Sequence, residues 1–185
     1  MSSATMSDES VQNNEKIIDD LMLVSSMRNF VFLIGNEEGA IQCAKLLSKE
    51  TGKSLEIINN GIHDSITDIY GYIDLKNNYH STKIVDSCEN GKILLITNVE
   101  KSTKNILSNL FSIIDLNIYH KGSVLGFKPR TKDNAMFPPD VVCDANNMVI
   151  SEGNYVPKDG FFMIASTTNM EIDILLKDRG TVLKL

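Results

Sequence analysis

The stretch from Phe30 to Gly52 constrains this chain more than any other. Phe30, Val31, Phe32, Leu33 and Ile34 are apolar at every position, which reads as a strand buried on both faces. Gly35 and Gly39 then bound a tight loop through Asn36, Glu37 and Glu38. From Ala40 to Lys49 the apolar residues Ile41, Ala44 and Leu47 fall at helical spacing, with Cys43 and Leu46 beside them, and Gly52 stands where a helix stop belongs.

Strand, glycine loop and helix is also the layout of a phosphate-binding P-loop, whose working pattern is Gly-x-x-x-x-Gly-Lys-Ser/Thr. Counted from Gly35, the second glycine is Ala40, the lysine is Ile41 and the hydroxyl residue is Gln42. In a working loop the lysine cradles the β- and γ-phosphates and the hydroxyl holds Mg²⁺. Ile41 and Gln42 supply neither. Glu37 and Glu38 lie where phosphates would approach. At an effective dielectric of about 20 and ~5 Å, each unit charge repels another by roughly 3 kcal/mol. Backbone N–H groups at an exposed helix start favour an anion by only about 0.3–1 kcal/mol. Repulsion wins, so the expectation is weak nucleotide binding or none, and no Mg²⁺-dependent hydrolysis. A second candidate, Gly52-Lys53-Ser54, follows a helix and precedes a strand, the reverse of the P-loop context, and reads as a helix stop and turn.

Along the chain, Met1 to Asn13 is polar and reads as a disordered tail, leaving 14–185 as one domain. Glu15 to Met27 carries Ile17, Ile18, Leu21, Leu23 and Val24 on the apolar stripe of an amphipathic helix. Ser54 to Ile58 is a second short strand; Asp64 or Ser65 caps a short helix ending near Gly71; Asp74 to Ser81 reads as loop. Thr82 to Asn90 is a helix closed by Gly91, Ile93 to Ile96 a second wholly apolar strand, and Thr103 to Leu116 a helix capped by Ser102 or Thr103. An irregular insertion around 117–150, in a region holding all four prolines, has strand-like runs near Val141 and Met148 and predicts a hairpin. Phe161 to Ala165 is a third buried strand and Thr181 to Leu185 a possible last one. Strands alternating with helices predict a mainly parallel α/β sheet with right-handed crossovers.

Composition narrows the function classes. The net charge is -6 and the basic residues are scattered, so neither nucleic acid nor an anionic membrane is an expected partner. Cys43, Cys88 and Cys143 share no metal or redox spacing, which fits reduced thiols in an intracellular protein. No apolar run approaches membrane length and the polar start is no signal peptide, so a soluble location is expected.

Several short runs, in order, resemble the AAA+ ATPase core, within it the dynein-related branch that contains midasin. Ile58, Asn59 and Asn60, then His63, Ile66, Asp68 and Gly71, resemble the midasin-type segment Ile-Asn-Asn-His-x-His-x-Asp-Leu-x-x-Tyr-x-Gly. Gly91 to Val99 lies where that family has Gly-Tyr-Trp-Ile-Val-Leu-Asp-Glu-Leu, and Asn105 to Asp115 aligns without gaps to its next helix. Phe162 to Asn169 resembles the sensor strand, and Leu175 to Arg179 the segment that carries an arginine finger. The resemblance implies a P-loop NTPase-like sheet in the order 5-1-4-3-2; the expected departure from the family is that the helical lid subdomain is absent. It implies that Asn169 is sensor-like and that Arg179 is finger-like, acting in trans on a neighbour. The family's acidic pair after the second buried strand reads Thr97 and Asn98, with no carboxylate, and Glu100 is expected to lie off the site.

What the resemblance then implies is a non-hydrolysing structural or protein-interaction module. Its partners would be proteins, possibly other AAA+ modules, in large ribosomal subunit assembly in the nucleus if midasin-like and otherwise in the cytoplasm. Two other readings stay open. A working ATPase would need Lys45, Lys49 or Lys101 in place of the lost lysine. An unrelated α/β fold would show a different strand order. Asn59 and Asn60 read as turn caps or as partner contacts, His63, His80 and His120 as isolated, and the run from Ala135 to Pro139 as tucked onto its own domain or as a docking motif.

Overall fold

The computed structural model describes residues 5–62, 67–74, 76, 78–121, 141–143, 149–152, 155–168 and 179–185. In chain order these form α1 (Thr5–Met27), β1 (Phe30–Ile34), α2 (Glu37–Thr51), β2 (Leu55–Ile58), α3 (Thr67–Tyr70), β3 (Tyr72–Ile73), β4 (Tyr79–His80), α4 (Lys83–Asn90) and β5 (Ile93–Ile96). A 3-10 turn (Val99–Lys101) leads to α5 (Lys104–Leu116), followed by β6 (Val141–Cys143), β7 (Val149–Glu152), β8 (Phe162–Thr167) and β9 (Thr181–Lys184).

Five strands make one sheet in the order β2-β5-β8-β1-β9, and every pairing in it is parallel. Numbered among themselves and read from β9, they run 5-1-4-3-2, the order implied by the resemblance. A strand apolar at every position must be covered twice, and the sheet meets that need by strict alternation. Val31, Leu33, Ile93, Leu95, Phe162 and Ile164 face one helical layer, with Leu21 of α1 and Ala40, Cys43, Ala44 and Leu47 of α2. Phe30, Phe32, Ile34, Leu94, Ile96, Met163 and Ala165 face the other, against Ile69, Ile84, Val85, Ile106, Leu110 and Ile113. Cys43 and Cys88 are free thiols divided between these two cores. Among the described residues no helix is long and apolar enough to cross a membrane.

Several expectations shift. α1 begins at Thr5, well inside the stretch expected as a tail. Leu21 anchors this helix in the core, and each residue added to an existing helix costs little. Leu23, expected on the apolar stripe, is 61% exposed, and Ile17, Ile18, Leu21 and Val24 make the contact instead. Thr103 rather than Ser102 caps α5, accepting from the Ile106 amide, while the Ser102 hydroxyl accepts from the amide of Ile62. Asp64 and Ser65 lie outside the described residues. β6 and β7 pair antiparallel as the expected hairpin, and Tyr119 and Tyr155 form a separate antiparallel bridge. The run from Ala135 to Pro139 lies outside the described residues.

The stretch from Asp74 to Ser81, expected as loop, contains one arm of a second hairpin, β3 with β4. Asp74 makes the turn: its Oδ1 accepts from the amides of Lys76 and Asn78 at 2.8 and 2.9 Å, and its Oδ2 lies 2.9 Å from His80 Nε2. The His80 ring stacks on Tyr72, centroids 4.6 Å apart. Gly71 introduces the hairpin at φ +77, and a Cβ there would stand 2.2 Å from the carbonyl oxygen of His80.

Two predictions follow from this turn. Gly71→Ala combines a left-handed backbone with a backbone clash and is expected to cost about 2 kcal/mol or more in urea unfolding; an unchanged midpoint would contradict it. The His80 ring, then the Asn78 amide, lower Asp74 to about 2 from the ordinary 3.8. A carboxyl depressed in the folded state stabilises above its unfolded value and loses that contribution as pH falls through the folded one. Amide shifts of Asn78 and Tyr79 are therefore expected to stay native down to about pH 4 and to move together between about pH 4 and 2. Shifts that stay native from about pH 4 down to 2 would contradict it.

Candidate functional site

Open α/β sheets place ligands past the carboxyl ends of their strands, where the strand order reverses. Here the chain leaves β1, starts again at the far edge with β2, and returns through β5 and β8 to lie beside β1. The crevice therefore lies beyond Ile34 and Thr167, which the Gly35 amide ties together by donating to the Thr167 carbonyl at 2.9 Å.

The loop expected from Gly35 to Gly39 is mostly absent, because α2 starts at Glu37 and not at Ala40. Asn36 is the reason. Its backbone is extended, its side-chain oxygen accepts from the Gly39 amide at 2.6 Å, and its carbonyl accepts from Ala40 at 3.0 Å. Glu37 and Glu38 in the first turn complement the positive end of the helix. Ile41 is half-buried and packs against the core, and Gln42 is exposed. The side chain of Leu185 crowds the same place, since a Cβ on Gly35 would meet it at 2.4 Å and one on Gly39 at 3.2 Å.

Beyond β5, Thr97 is fully buried and Asn98 is 9% exposed. Asn98 takes a left-handed backbone, φ 47, which turns the chain into the 3-10 turn. The Thr97 hydroxyl accepts from the Asn60 amide at 3.0 Å and donates to Glu37 Oε1 at 2.9 Å. The Asn98 side-chain amide donates to Asn60 Oδ1 at 2.9 Å and to Glu37 Oε2 at 3.3 Å. The two residues standing at the family's acidic positions are thus hydrogen-bonded to an acid at the start of α2. Sequence reasoning missed this network: Asn60 was read as a turn cap, and its positive φ of 62 fits that role, but its side chain also serves the site. Asn59 is exposed.

The remaining candidates fall elsewhere. Glu100 and Lys101 are exposed on the 3-10 turn, and Lys45 and Lys49 are exposed on α2. Arg179 stacks on the Phe111 ring, 3.7 Å from its centroid, and pairs with Asp115, both on α5. His80 serves the β3–β4 turn, and His120 meets the edge of Tyr70 at 5.3 Å. Asn169 and His63 lie outside the described residues. Gly52 is the left-handed cap of α2, so Gly52-Lys53-Ser54 is a helix stop. Among the described residues no group of His, Cys, Asp and Glu could hold a metal ion. Burial pushes the Cys88 thiol up to about 12, with the Glu89 charge adding to it, which removes it as a nucleophile.

A cavity of about 230 Å³ between Ile17, Gly35, Gly39, Gln42 and Leu185 adjoins the loop. A larger one of about 490 Å³ lies at the opposite end of the sheet, beside Phe30, Phe161 and Arg179, away from the strand ends described above.

A five-stranded parallel sheet in this order, with a helix springing from the end of β1, defines a P-loop NTPase-like domain. A family model, the AAA domain of the dynein-related subfamily, matches residues 31–170, and the chain belongs to that family. A putative ATPase from Cytophaga hutchinsonii is similar in structure, with a TM-score of 0.56 at 12% identity over 96% of this chain and 46% of that one. RuvB from Thermotoga maritima, a Holliday junction branch migration motor, gives a TM-score of 0.54 at 13% identity over 94% of this chain and 44% of its own. NtrX from Brucella abortus, in complex with ADP, gives 0.59 at 9% identity over 100% of this chain and 36% of its own. At these identities the likeness is one of fold, and the chain spans less than half the length of each. No curated protein matches the chain significantly.

The Asn36 cap is expected to be worth about 1 kcal/mol, so Asn36→Ala should lower the unfolding free energy by that amount while Asn36→Ser retains most of it. Equal stability of the alanine variant and wild type in urea would show that α2 does not depend on this bond.

Proposed function

We propose that this chain is a AAA+ module that does not hydrolyse ATP and serves as a structural or protein-interaction element. The observation that carries the reading is the start of α2. Three of the residues that would wrap a phosphate, Glu37, Glu38 and Gly39, are instead the first turn of the helix. Its Gly39 amide is taken by Asn36. With Ile41 and Gln42 in the lysine and hydroxyl positions, and Thr97 and Asn98 in place of carboxylates, the residues do not fit a magnesium triphosphate. Arg179 would have to leave Asp115 and Phe111 before it reached a neighbour's site.

Protein partners follow from this reading, other AAA+ modules first among them. The midasin-like runs, with Ile58-Asn59-Asn60 the clearest, support a role beside large ribosomal subunit precursors, and hence the nucleus. Outside that role the cytoplasm is the expected location. The competing reading is nucleotide binding through a non-standard loop. Membership of an ATPase family and the ADP held by NtrX favour it.

Thermal unfolding with millimolar ATP or ADP and Mg²⁺ decides between them. A ligand bound only by the native state adds RT ln(1 + [L]/Kd), about 2.7 kcal/mol at a hundred times Kd. For a chain of this size that is a rise of roughly 5–10 °C. We expect none. A rise of that size, with ATP turnover abolished by Lys101→Ala, would establish the competing reading.

A further inference from the structure

We propose that Glu37 is a built-in clasp, a carboxylate carried by the chain itself that ties the start of α2 to the ends of β2 and β5 and holds the crevice shut without a ligand. The inference rests on the reading of a module that does not use nucleotide, and deepens it.

The topology makes the contact informative. Glu37 follows β1 and its partners follow β5, while β8 lies between those two strands in the sheet. Its side chain therefore reaches past the end of β8 to bond residues 60 and 61 positions away. Both partners are buried, and their donors are aimed at the carboxylate. The Thr97 hydroxyl gives its one proton to Glu37 and accepts from the Asn60 amide. The Asn98 amide divides its two protons between Glu37 and Asn60. Hydrogen bonds to an ionised group are about twice as strong as neutral ones, and the start of α2 favours the same negative charge. Among the described residues no ion pair competes for this carboxylate. An acid placed in the crevice is held there by two buried donors, and any anion entering would have to displace it against its own charge.

The clasp predicts coupling. Removing Glu37 strands the buried donors of Thr97 and Asn98, so Glu37→Ala should lower the thermal midpoint of the full chain by several degrees. Thr97→Val removes the same bond from the other side, so the double variant should melt close to Glu37→Ala alone, not at the sum of the two losses. Glu37→Gln keeps an acceptor for Thr97 but sets an amide against Asn98, and should fall between wild type and alanine. Hydrogen exchange in native buffer adds a local readout if the alanine variant does not fold. In Glu37→Gln the amides of Asn60 and Gly61, bonded to Thr97, should exchange at least tenfold faster, while those of β1 and β8 keep their rates. Additive losses, an unchanged midpoint, or unaltered exchange at Asn60 and Gly61 would overturn the clasp. Stabilisation of wild type by Mg·ATP alongside full coupling would instead refute the nucleotide-free reading and leave the clasp standing.

Discussion

β1 is apolar on both faces and hydrogen-bonded along both edges, to β8 over Phe30–Ile34 and to β9 over Val31–Ile34. Burial on both faces means that helices must cover it twice, and parallel pairing means that each neighbour must return by a crossover. The chain supplies α1 and α2 to one face and α3, α4 and α5 to the other. With β1 satisfied in this way, the place where it ends, at Gly35, becomes the place where chemistry can be held. The crevice is a consequence of how β1 is buried.

At that crevice the charges are interchanged relative to what the family's pattern calls for. The acid stands on the α2 side, at Glu37, and the uncharged donors stand beyond β5, at Thr97 and Asn98. Each half taken alone would be unfavourable: buried donors without an acceptor lose their hydration, and an acid in a phosphate loop repels its ligand. Together they satisfy one another. A helix whose first turn is acidic and whose cap is Asn36 gains from not being a loop, so Glu37 and Glu38 strengthen α2 at its positive end.

Much of the fold was legible. Phe30–Ile34 and Ile93–Ile96 were read as strands at the bounds the structure shows, because uninterrupted apolar runs between turn residues admit few alternatives. Gly52 and Gly91 announced helix ends by taking the left-handed caps. The misreadings were local competitions. Asn36 could close a loop or cap a helix, and capping drew Glu37 to Gly39 into α2. Asp74 could mark a loop or a hairpin turn, and the His80 ring supplied the second anchor. Counting reaches Gly35 to Gln42, Thr97 and Asn98 but not Asn60, since nothing local separates a turn cap from a partner of Asn98.

The sequence by itself determined which segments are buried strands and which are their covering helices, because hydrophobic period and capping residues act over a few positions. It also determined that the loop after β1 lacks a lysine and a hydroxyl, since that is a matter of identity at counted places. Only the tertiary structure decided that Glu37 meets Thr97 and Asn98. That contact depends on β8 entering the sheet between β5 and β1, a pairing between segments far apart in the chain that no local pattern encodes.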